Sequence, residues 1–489
     1  MGVLNQLLLF MVTLPIVGWV ATRGGVERLR DAYAVMGLLV GLIFLRPLYS
    51  RVLERGVLVI PAVYAPPMGA CLEIDMLGVF MALVALTLGV LASAYSVRYM
   101  ERDTGLTTYY TLVLAMVAGM VGVYFAGDFF TLFVFWEMMC IASYVLVAFR
   151  KGRWAPIEAG FKYLIMSSFG SATLLLSMSF LYGATGTLNF AYLSASLRGA
   201  TANVWLYSIM AMIVIGFGVK TAIVPMHTWL PDAHPEAPSP ISALLSGILI
   251  ETGLYGLCRV LSLLFGVGAY ALLIAALAVL TMTVGNFLAL LQDDIKRLLA
   301  YSSIAQVGYM LIGLATGTRL GLMGTFAHVL NHALMKGLAF LAAGAIIYRT
   351  EERSLRRLEG VGRALPVTFM ALTISLLGLA GMPATNGFIS KFVLFTSTFE
   401  VDMAWLGVVG VLNSAFSVAY YLRMMIILIR RPKEPVRVSE APPSMLVVMC
   451  VMAFLIVLLG VWPEPVLEMA EMASVSLIDL ERYIRLVVV

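Results

Sequence analysis

The chain has 489 residues, of which 61% are hydrophobic and only 12% are charged, and its mean hydropathy is +0.97. Soluble domains are about 45–50% apolar and about 25% charged, so this composition excludes a soluble protein, a disordered chain and a nucleic-acid-binding protein. The net charge of +5 is informative only through its distribution between loops. The composition predicts an all-α polytopic membrane protein.

Fourteen apolar segments are long enough to cross the hydrocarbon core, which needs about 20 residues of helix. In chain order they are 3–21, 32–48, 75–97, 109–126, 128–149, 159–183, 203–229, 240–264, 267–291, 298–316, 319–348, 365–399, 404–428 and 444–462. Between the second and third spans, the proline-containing stretch 56–74 predicts an exposed extended excursion. Residues 187–199 suit a short interfacial helix. The tail from Pro463 onward is amphipathic, which predicts a position along the surface or against a partner.

Positive charges are distributed unevenly between the two sides of these spans. Of the 32 lysines and arginines, 19 fall in loops on the side reached after the first span and 7 on the opposite side. The positive-inside rule therefore places the chain in the cell (cytoplasmic) membrane with both termini outside. Of the cations inside spans, Lys162, Arg259 and Arg423 lie near span ends, where long side chains can reach the interface.

Five ionisable residues lie near the middle of predicted spans, where a charge costs about 2.5–3.5 kcal/mol on insertion scales and is functional by default. They are Glu137, Lys220, Glu251, Lys336 and Lys391. Five such groups in one chain are not packing accidents.

Two of these lysines lie beside helix-breaking residues. Lys220 precedes Pro225 in the seventh span, and Lys391 follows Pro383 in the twelfth. Irregular backbone at membrane depth is tolerated only where it is buried in protein or lines a cavity. The pattern predicts broken helices seven and twelve and internal repeats around ion sites, with two independent proline kinks as the alternative.

The eleventh span carries His328, His332 and Lys336 at positions i, i+4 and i+8, which predicts one polar stripe about 12 Å long on a helix face. Histidine suits proton relay because its ordinary pKa is near 6.5. A bis-histidine metal or haem site is the alternative, but no cysteine or carboxylate lies nearby in sequence and Lys336 would repel a cation. We therefore expect no metal. Three further candidates, for proton uptake or release, are His227, His234 and Lys162, and loop packing is the other interpretation of the two histidines.

Five sequence motifs together resemble a known family. They are WEMMCIASYVLV around Glu137, GFGVKTAIVPMHTWLPDAHPEAPSPISALLSG around Lys220, QDDIKRLLAYSSIAQVGYM at the tenth span, NHALMKGLAFL around Lys336 and GLAGMPATNGFISKF around Lys391. They resemble the antiporter-like subunits, of the D or M/N type, that occur in complex I, in Mrp sodium/proton antiporters and in membrane-bound hydrogenases.

The resemblance covers the third to the thirteenth span and implies a division of the chain. It implies three N-terminal helices in 1–108, two inverted five-helix repeats in 109–264 and 265–428, and a final helix with the amphipathic tail in 429–489. It also implies proton-translocating roles for Glu137 and Lys220, for the stripe from His328 to Lys336, and for Lys391.

One position departs from the family pattern. Many relatives carry lysine or histidine in the eighth span, in a context like LLKxGxYGxxR, whereas this chain reads ILIETGLYGLCR with Glu251 at that place. Glu251 is therefore either a proton acceptor or part of a site for a cation such as sodium.

The chain carries no sign of a redox centre or cofactor of its own. It has no nucleotide motif and no CxxC pair, and its four cysteines, Cys71, Cys140, Cys258 and Cys450, are far apart. We therefore predict a proton-translocating subunit, with sodium as a second candidate ion, of a hydrogenase-type or complex I-like respiratory complex. Its partners would be other membrane subunits and peripheral redox subunits carrying iron–sulfur clusters.

In this hypothesis Glu137 holds Lys220 charged, and weakening of that pair releases a proton toward His332, Lys336 and Lys391. Two alternatives stay open: the corresponding antiporter-like component of a stand-alone Mrp sodium/proton antiporter built from several chains, and a non-transporting scaffold that anchors a peripheral redox enzyme. The retained midplane charges argue against the scaffold.

Overall fold

The computed structural model describes residues 2–62, 64–197, 203–432 and 437–488. The prediction that both termini face the outside of the cell concerns Met1 and Val489. These two residues are not among the described residues. Nor are Arg198 and Lys433, two of the residues in the charge distribution.

Helices make up nearly all of the described chain. In chain order they are α1 (Gly2–Arg23), α2 (Glu27–Arg55), α3 (Met76–Tyr99), α4 (Leu106–Phe125), α5 (Phe129–Val147), α6 (Trp154–Thr185), α7 (Phe190–Leu197), α8 (Val204–Thr221), α9 (Leu230–Glu236), α10 (Ser239–Leu244), α11 (Ile250–Leu264), α12 (Val267–Leu290), α13 (Ile295–Thr316), α14 (Arg319–Thr350), α15 (Val361–Ala364), α16 (Pro366–Ala380), α17 (Asn386–Ser397), α18 (Ala404–Ile429), α19 (Pro443–Val461), α20 (Glu464–Ile478) and α21 (Leu480–Val487). A π-helical turn (Leu245–Leu249) joins α10 to α11, and two 3-10 turns cover Leu355–Leu358 and Thr398–Val401.

Aspartates define the beginnings of several spans. The carboxylates of Asp75, Asp128 and Asp294 accept hydrogen bonds from backbone N–H groups in the first turns of α3, α5 and α13. A carboxylate at this position satisfies donors that the helix itself cannot. At the other end, Gly186 and Gly317 close α6 and α13 in the left-handed conformation that favours glycine.

Thirteen helices in the described part of the chain are long and apolar enough to cross a membrane, counting α10 to α11 as one. The remaining predicted span, the twelfth, is divided into α16 and α17 by the segment 381–385. The seventh span, α8, ends at Thr221, four residues before Pro225. The predicted class, a helical polytopic membrane protein, is therefore confirmed. The inverted repeats and the boundaries of the four segments stay predictions.

The stretch 56–74 differs from its prediction. It contains an antiparallel hairpin of β1 (Leu58–Pro61) and β2 (Cys71–Ile74), the only sheet among the described residues. The prediction of an exposed excursion is wrong for β2, because Asn189 donates a 2.7 Å hydrogen bond to the buried carboxylate of Glu73 and Tyr483 of α21 donates another. The region 187–197 and the C-terminal tail therefore cover this strand.

The centre of the molecule is formed by α11, α13 and α14, which are buried along nearly their whole length. By contrast α1, α2, α12, α18 and α19 lie at the periphery, and α1 exposes Leu9, Val12 and Ile16. Such apolar faces suit contact with lipid. The tail helix α20 packs against α14 and α3, and α21 packs against α7. Of the five ionisable residues expected at midplane, Glu251 and Lys336 lie on these inner helices.

Candidate functional site

Glu251 and His332 form a buried pair between α11 and α14. His332 Nδ1 lies 2.5 Å from Glu251 Oε1, and both side chains are 0% exposed. The second carboxylate oxygen and His332 Nε2 have no hydrogen-bond partner among the described residues. A carboxyl and an imidazole in direct contact can share one proton, and the free atoms on each side can accept or pass on another.

His328 continues this stripe toward α17. Its Nδ1 lies 2.8 Å from Ser390 Oγ and its Nε2 lies 3.0 Å from Oε1 of Gln306. Because a carboxamide oxygen only accepts, Nε2 donates and Nδ1 accepts from Ser390. The rings of His328 and His332 are stacked with centroids 6.1 Å apart. The predicted stripe is therefore a buried face of α14 that contacts α11, α13 and α17.

Three buried lysines are held by neutral oxygen atoms. Lys220 Nζ donates to Tyr163 Oη at 2.6 Å, and Lys391 Nζ donates to the Leu379 carbonyl at 2.7 Å. Lys336 donates to the Leu299 carbonyl at 2.9 Å and to Ser302. None of the three makes a salt bridge within the part of the chain that the structure describes. With no carboxylate to fix the charge, each amine keeps its hydrogen bonds whether it is protonated or neutral.

Lys220 and Lys391 share a second feature, because the amine of each lies at the C-terminal end of a helix. Lys220 is in the last turn of α8, and Lys391 reaches from α17 back to the last turn of α16. Helix C-termini carry partial negative charge and free carbonyls, which favour an ammonium group. Each lysine also faces a phenol ring, that of Tyr163 at 4.8 Å and that of Tyr309 at 4.6 Å.

Glu137 occupies a different environment. It is half-buried on α5 and accepts a 2.5 Å hydrogen bond from Ser171 of α6. Among the described residues no ion pair joins Glu137 to Lys220, so the direct pair expected from sequence is wrong. The physical reason is spacing: Lys220 contacts Ser143, which follows Glu137 by six residues and hence by about 9 Å along α5.

The three candidates for proton uptake or release do not form one cluster. Lys162 is exposed and pairs with Glu158 at 2.9 Å and with Asp232 at 3.2 Å. His227 is half-buried. His234 is fully buried and stacked on Phe340, and neither of its ring nitrogens has a hydrogen-bond partner among the described residues.

The described residues contain no group of three or more His, Cys, Asp or Glu side chains that could hold a metal ion, and all four cysteines are free thiols. The groups that the site does present are amines, imidazoles and carboxyls, all of which can exchange protons.

Comparison with known proteins decides the family. The model of the NADH:quinone oxidoreductase/Mrp antiporter transmembrane family matches residues 126–417, more than half of the chain, and the model of the complex I chain 5 N-terminus matches residues 67–110. The chain belongs to the NADH:quinone oxidoreductase/Mrp antiporter family. The resemblance inferred from the five motifs is thus confirmed.

Relatives of this antiporter-like subunit match over most of their length. It is 36% identical to F(420)H(2) dehydrogenase subunit N of Methanosarcina mazei, over 83% of this chain and 85% of that one. It is 35% identical to NADH-quinone oxidoreductase subunit N of Desulforamulus reducens, over 82% and 85% of the two chains. A chain of the membrane-bound sulfane sulfur reductase, an archaeal respiratory membrane complex, superposes with a TM-score of 0.92 at 28% identity, covering 99% of both chains.

Several partners in the antiporter-like site escaped prediction from sequence. Tyr163, Ser302 and Gln306 contact site residues. From sequence, a hydroxyl or amide residue in an apolar helix that contacts a functional group looks the same as one that only fills space between helices. Arg259 is a clear correction: instead of reaching the interface it is 2% exposed and pairs with Asp75 at 2.6 Å. The long side chain of Arg259 reaches the residue that caps α3, and this contact joins parts of the chain that are distant in sequence.

Proposed function

We propose that this subunit translocates protons across the cell membrane as part of a multi-subunit respiratory complex of the hydrogenase or complex I-like type. The observation that carries the proposal is the set of buried titratable side chains held by neutral partners or by one another: Lys220, Glu251, His328, His332, Lys336 and Lys391. Ionisable groups at this depth are costly, and a scaffold would gain nothing from retaining them.

Packing supports a continuous track between these groups. Gly253 of α11 lies directly against α8, and a Cβ atom added there would be 3.2 Å from Lys220 Cβ, so the absence of a side chain lets Glu251's helix approach Lys220. The Glu251–His332 pair then leads to His328 through the stacked rings. His328 contacts Ser390, the neighbour of Lys391 in sequence.

Lys336 lies one turn beyond His332, about 6 Å along α14. A proton leaving Lys220 would therefore reach the carboxyl of Glu251 and the imidazole of His332. From His332, one branch leads through His328 toward Lys391, and Lys336 lies on the other side. Protons are the ion that this set of groups handles best, and Glu251 is the one place where sodium is a candidate.

Glu137 is placed to transmit the driving signal. On its helix, Phe130, Val134, Ile141 and Val145 are exposed along the same side. A half-buried carboxylate beside such a stripe would be costly in lipid, so we assign this face to contact with a neighbouring membrane subunit. Lys220 contacts Ser143, which lies about 9 Å beyond Glu137 along the same helix, so the carboxylate would act on the lysine's charge through space and without contact.

Purification of the native complex tests this function. We expect the subunit to co-migrate with redox subunits that carry iron–sulfur clusters, and the complex in sealed vesicles to acidify the lumen when its electron donor is supplied. A complex that contains only membrane subunits and exchanges sodium for protons without a donor would instead support the stand-alone Mrp alternative. A complex that oxidises its donor with no proton movement would contradict translocation.

We also propose the orientation that the charge distribution predicts, with both termini outside the cell and the loop 349–363 in the cytoplasm. Tags at Met1 and at Val489 should be accessible to an impermeant reagent in intact cells, whereas a tag in 349–363 should react only after lysis. Termini on opposite faces would overturn the count of fourteen spans, since each missed or added span reverses every later loop.

A further inference from the structure

A line of polar residues follows one face of α11 from its midplane to its end. Glu251, Tyr255 and Arg259 occupy positions i, i+4 and i+8, so they lie in register over about 12 Å. All three are buried. The central track described above uses only the first of them, which leaves the other two without a role.

The polar contacts along this line come from α4. Thr252, next to Glu251, shares a 2.6 Å hydrogen bond with Tyr124 Oη. Tyr255 Oη donates to the backbone carbonyl of Tyr124 at 3.0 Å, and Arg259 Nε lies 3.4 Å from Tyr255 Oη. Thr252 and Glu251 lie in the same turn of α11, so the first hydroxyl pair is at the depth of the carboxyl.

The line ends in an acidic cluster beneath the C-terminal tail. Arg259 pairs with Asp75 at 2.6 Å, and the buried Glu73 accepts hydrogen bonds from Asn189 and Tyr483. Asp75 and Tyr483 line a cavity of about 260 Å³ that also has charged residues in its wall: Arg319, Glu471, Asp479 and Arg482. In the proposed orientation this cavity lies on the outer side of the membrane.

Charge balance distinguishes this cluster from a purely structural ion pair. The buried Arg259 faces the buried carboxyl groups of Glu73 and Asp75, and a third buried carboxylate, Asp128, accepts from the backbone N–H of Cys71. The cluster therefore holds more carboxyl groups than this one arginine can balance. Burial raises the pKa of Glu73 to about 7, against the opposing effects of the hydrogen bonds from Tyr483 and Asn189 and of the Arg259 charge. Near neutral pH this carboxyl therefore both binds and releases a proton.

We propose that this line is an outward proton route from Glu251 to Glu73 and the cavity beneath α21. The inference rests on the proposed function, since it takes its protons from the central track. A proton leaves the Glu251 carboxyl, which becomes a carboxylate facing His332. The Glu73 carboxylate takes up one proton and then gives it to water in the cavity, past the hydroxyl of Tyr483.

The hydroxyls of Tyr124, Thr252 and Tyr255 bridge the interval, with water completing the contacts that they do not make themselves. Arg259 stays protonated throughout, because a guanidinium does not release its proton in proteins. Its role is to orient Tyr255 and to balance Asp75.

Two tyrosines of α4 provide a matched test. Tyr124→Phe removes a hydroxyl bonded to Thr252, and the control Tyr109→Phe removes one bonded to Ser96; both rings are 0% exposed. In vesicles containing the whole complex, we expect Tyr124→Phe to lower the rate of proton pumping per electron transferred about tenfold, which corresponds to about 1.4 kcal/mol in barrier height. Tyr109→Phe should pump at the wild-type rate.

Equal pumping by the wild type and Tyr124→Phe would overturn the route. If a variant that removes the Lys220 amine loses pumping in the same preparation, the proposed function survives and only the route fails. If that variant also pumps normally, the proposed function itself fails.

The outer end is tested by its pH dependence. The charged and titratable groups around Glu73 come from its own strand, from the beginnings of α3 and α5, and from α11 and α21: Cys71, Asp75, Asp128, Tyr255, Arg259 and Tyr483. Burial gives Glu73 a pKa of about 7, within the range of luminal pH that the assay covers. The wild-type pumping rate should therefore change with luminal pH around pH 7, and Glu73→Gln should pump several-fold more slowly with this change lost. Glu73→Asp should restore part of both. An unchanged rate and pH profile in Glu73→Gln would contradict the assignment.

Discussion

Replacing Lys220 with alanine should abolish proton pumping while the complex still assembles. The substitution removes the buried amine, and Tyr163 keeps a hydrogen-bond partner because its hydroxyl also lies 2.9 Å from Ser143 Oγ. No buried polar atom of these two residues is thereby orphaned, which limits the loss of stability to that of a truncated side chain, about 2–5 kcal/mol for a residue of this size. Lys220→Met keeps most of the volume and should give the same loss of pumping.

Lys220→Arg separates a titrating group from a fixed charge. Arginine keeps the positive charge, but its pKa above about 12 prevents proton release at any working pH. If Lys220 passes protons, the arginine variant should fail as alanine does. The measurement is acidification of sealed vesicles normalised to electron transfer, with assembly followed by native electrophoresis. Pumping at the wild-type rate in Lys220→Arg would show that only the charge matters.

Glu137→Gln probes the control of that lysine from a distance. The amide oxygen can still accept a hydrogen bond from Ser171, which donates to Glu137 at 2.5 Å in the wild type. The substitution therefore keeps this contact and removes only the negative charge. Because the two groups are not in contact, the field of Glu137 on Lys220 is the property that changes, and pumping should fall while assembly persists. Normal pumping in both Lys220→Ala and Glu137→Gln would mean that both groups are structural.

The amino-acid sequence predicts the spans and the buried lysines well, for a simple reason. The hydrocarbon core selects apolar runs of one length, and any lysine inside such a run stands out against them. The ends of α8 near Lys220 and of α16 beside the Lys391 amine also follow from local signals, since Pro225 and Pro383 cannot continue a helix.

Partners across helices could not be predicted in this way. From sequence, the nearest cations to Glu251 are Arg259 and Lys220, yet its partner is His332, which lies 81 residues away on another helix. Arg259 in turn pairs with Asp75 from the beginning of α3. Such pairs are decided by how α11 packs against its neighbours, and a periodic apolar pattern gives the buried face of a helix without saying which helix covers it.

These contacts sharpen what is expected at Glu251. One hypothesis holds that Glu251 neutralises a buried cation, in which case its loss should first impair assembly by leaving a lone charge in a site of low dielectric constant. The two cations that this hypothesis needs have other partners, because Arg259 is paired with Asp75 and Lys220 donates to Tyr163. The remaining neighbour is His332, which can be neutral and then requires no counter-charge.

Glu251→Gln should therefore assemble fully and pump at least about tenfold more slowly, a change of about 1.4 kcal/mol in barrier height. The amide oxygen still accepts from His332 Nδ1, so the contact persists, but the site can no longer bind and release a proton. Glu251→Asp keeps the carboxyl on a shorter side chain and should retain part of the activity.

Sodium is the remaining variable, since Glu251 Oε2 is buried without a hydrogen-bond partner among the described residues and is chemically suited to a hard cation. Pumping is therefore measured in vesicles with and without sodium. A pumping rate that depends on sodium in the wild type but not in Glu251→Gln would assign cation binding to this carboxylate. A pumping rate that is independent of sodium in both proteins would assign proton transfer alone. A Glu251→Gln complex that pumps at the wild-type rate under both conditions would remove Glu251 from the pathway, because the buried carboxyl that the pathway requires would then be dispensable.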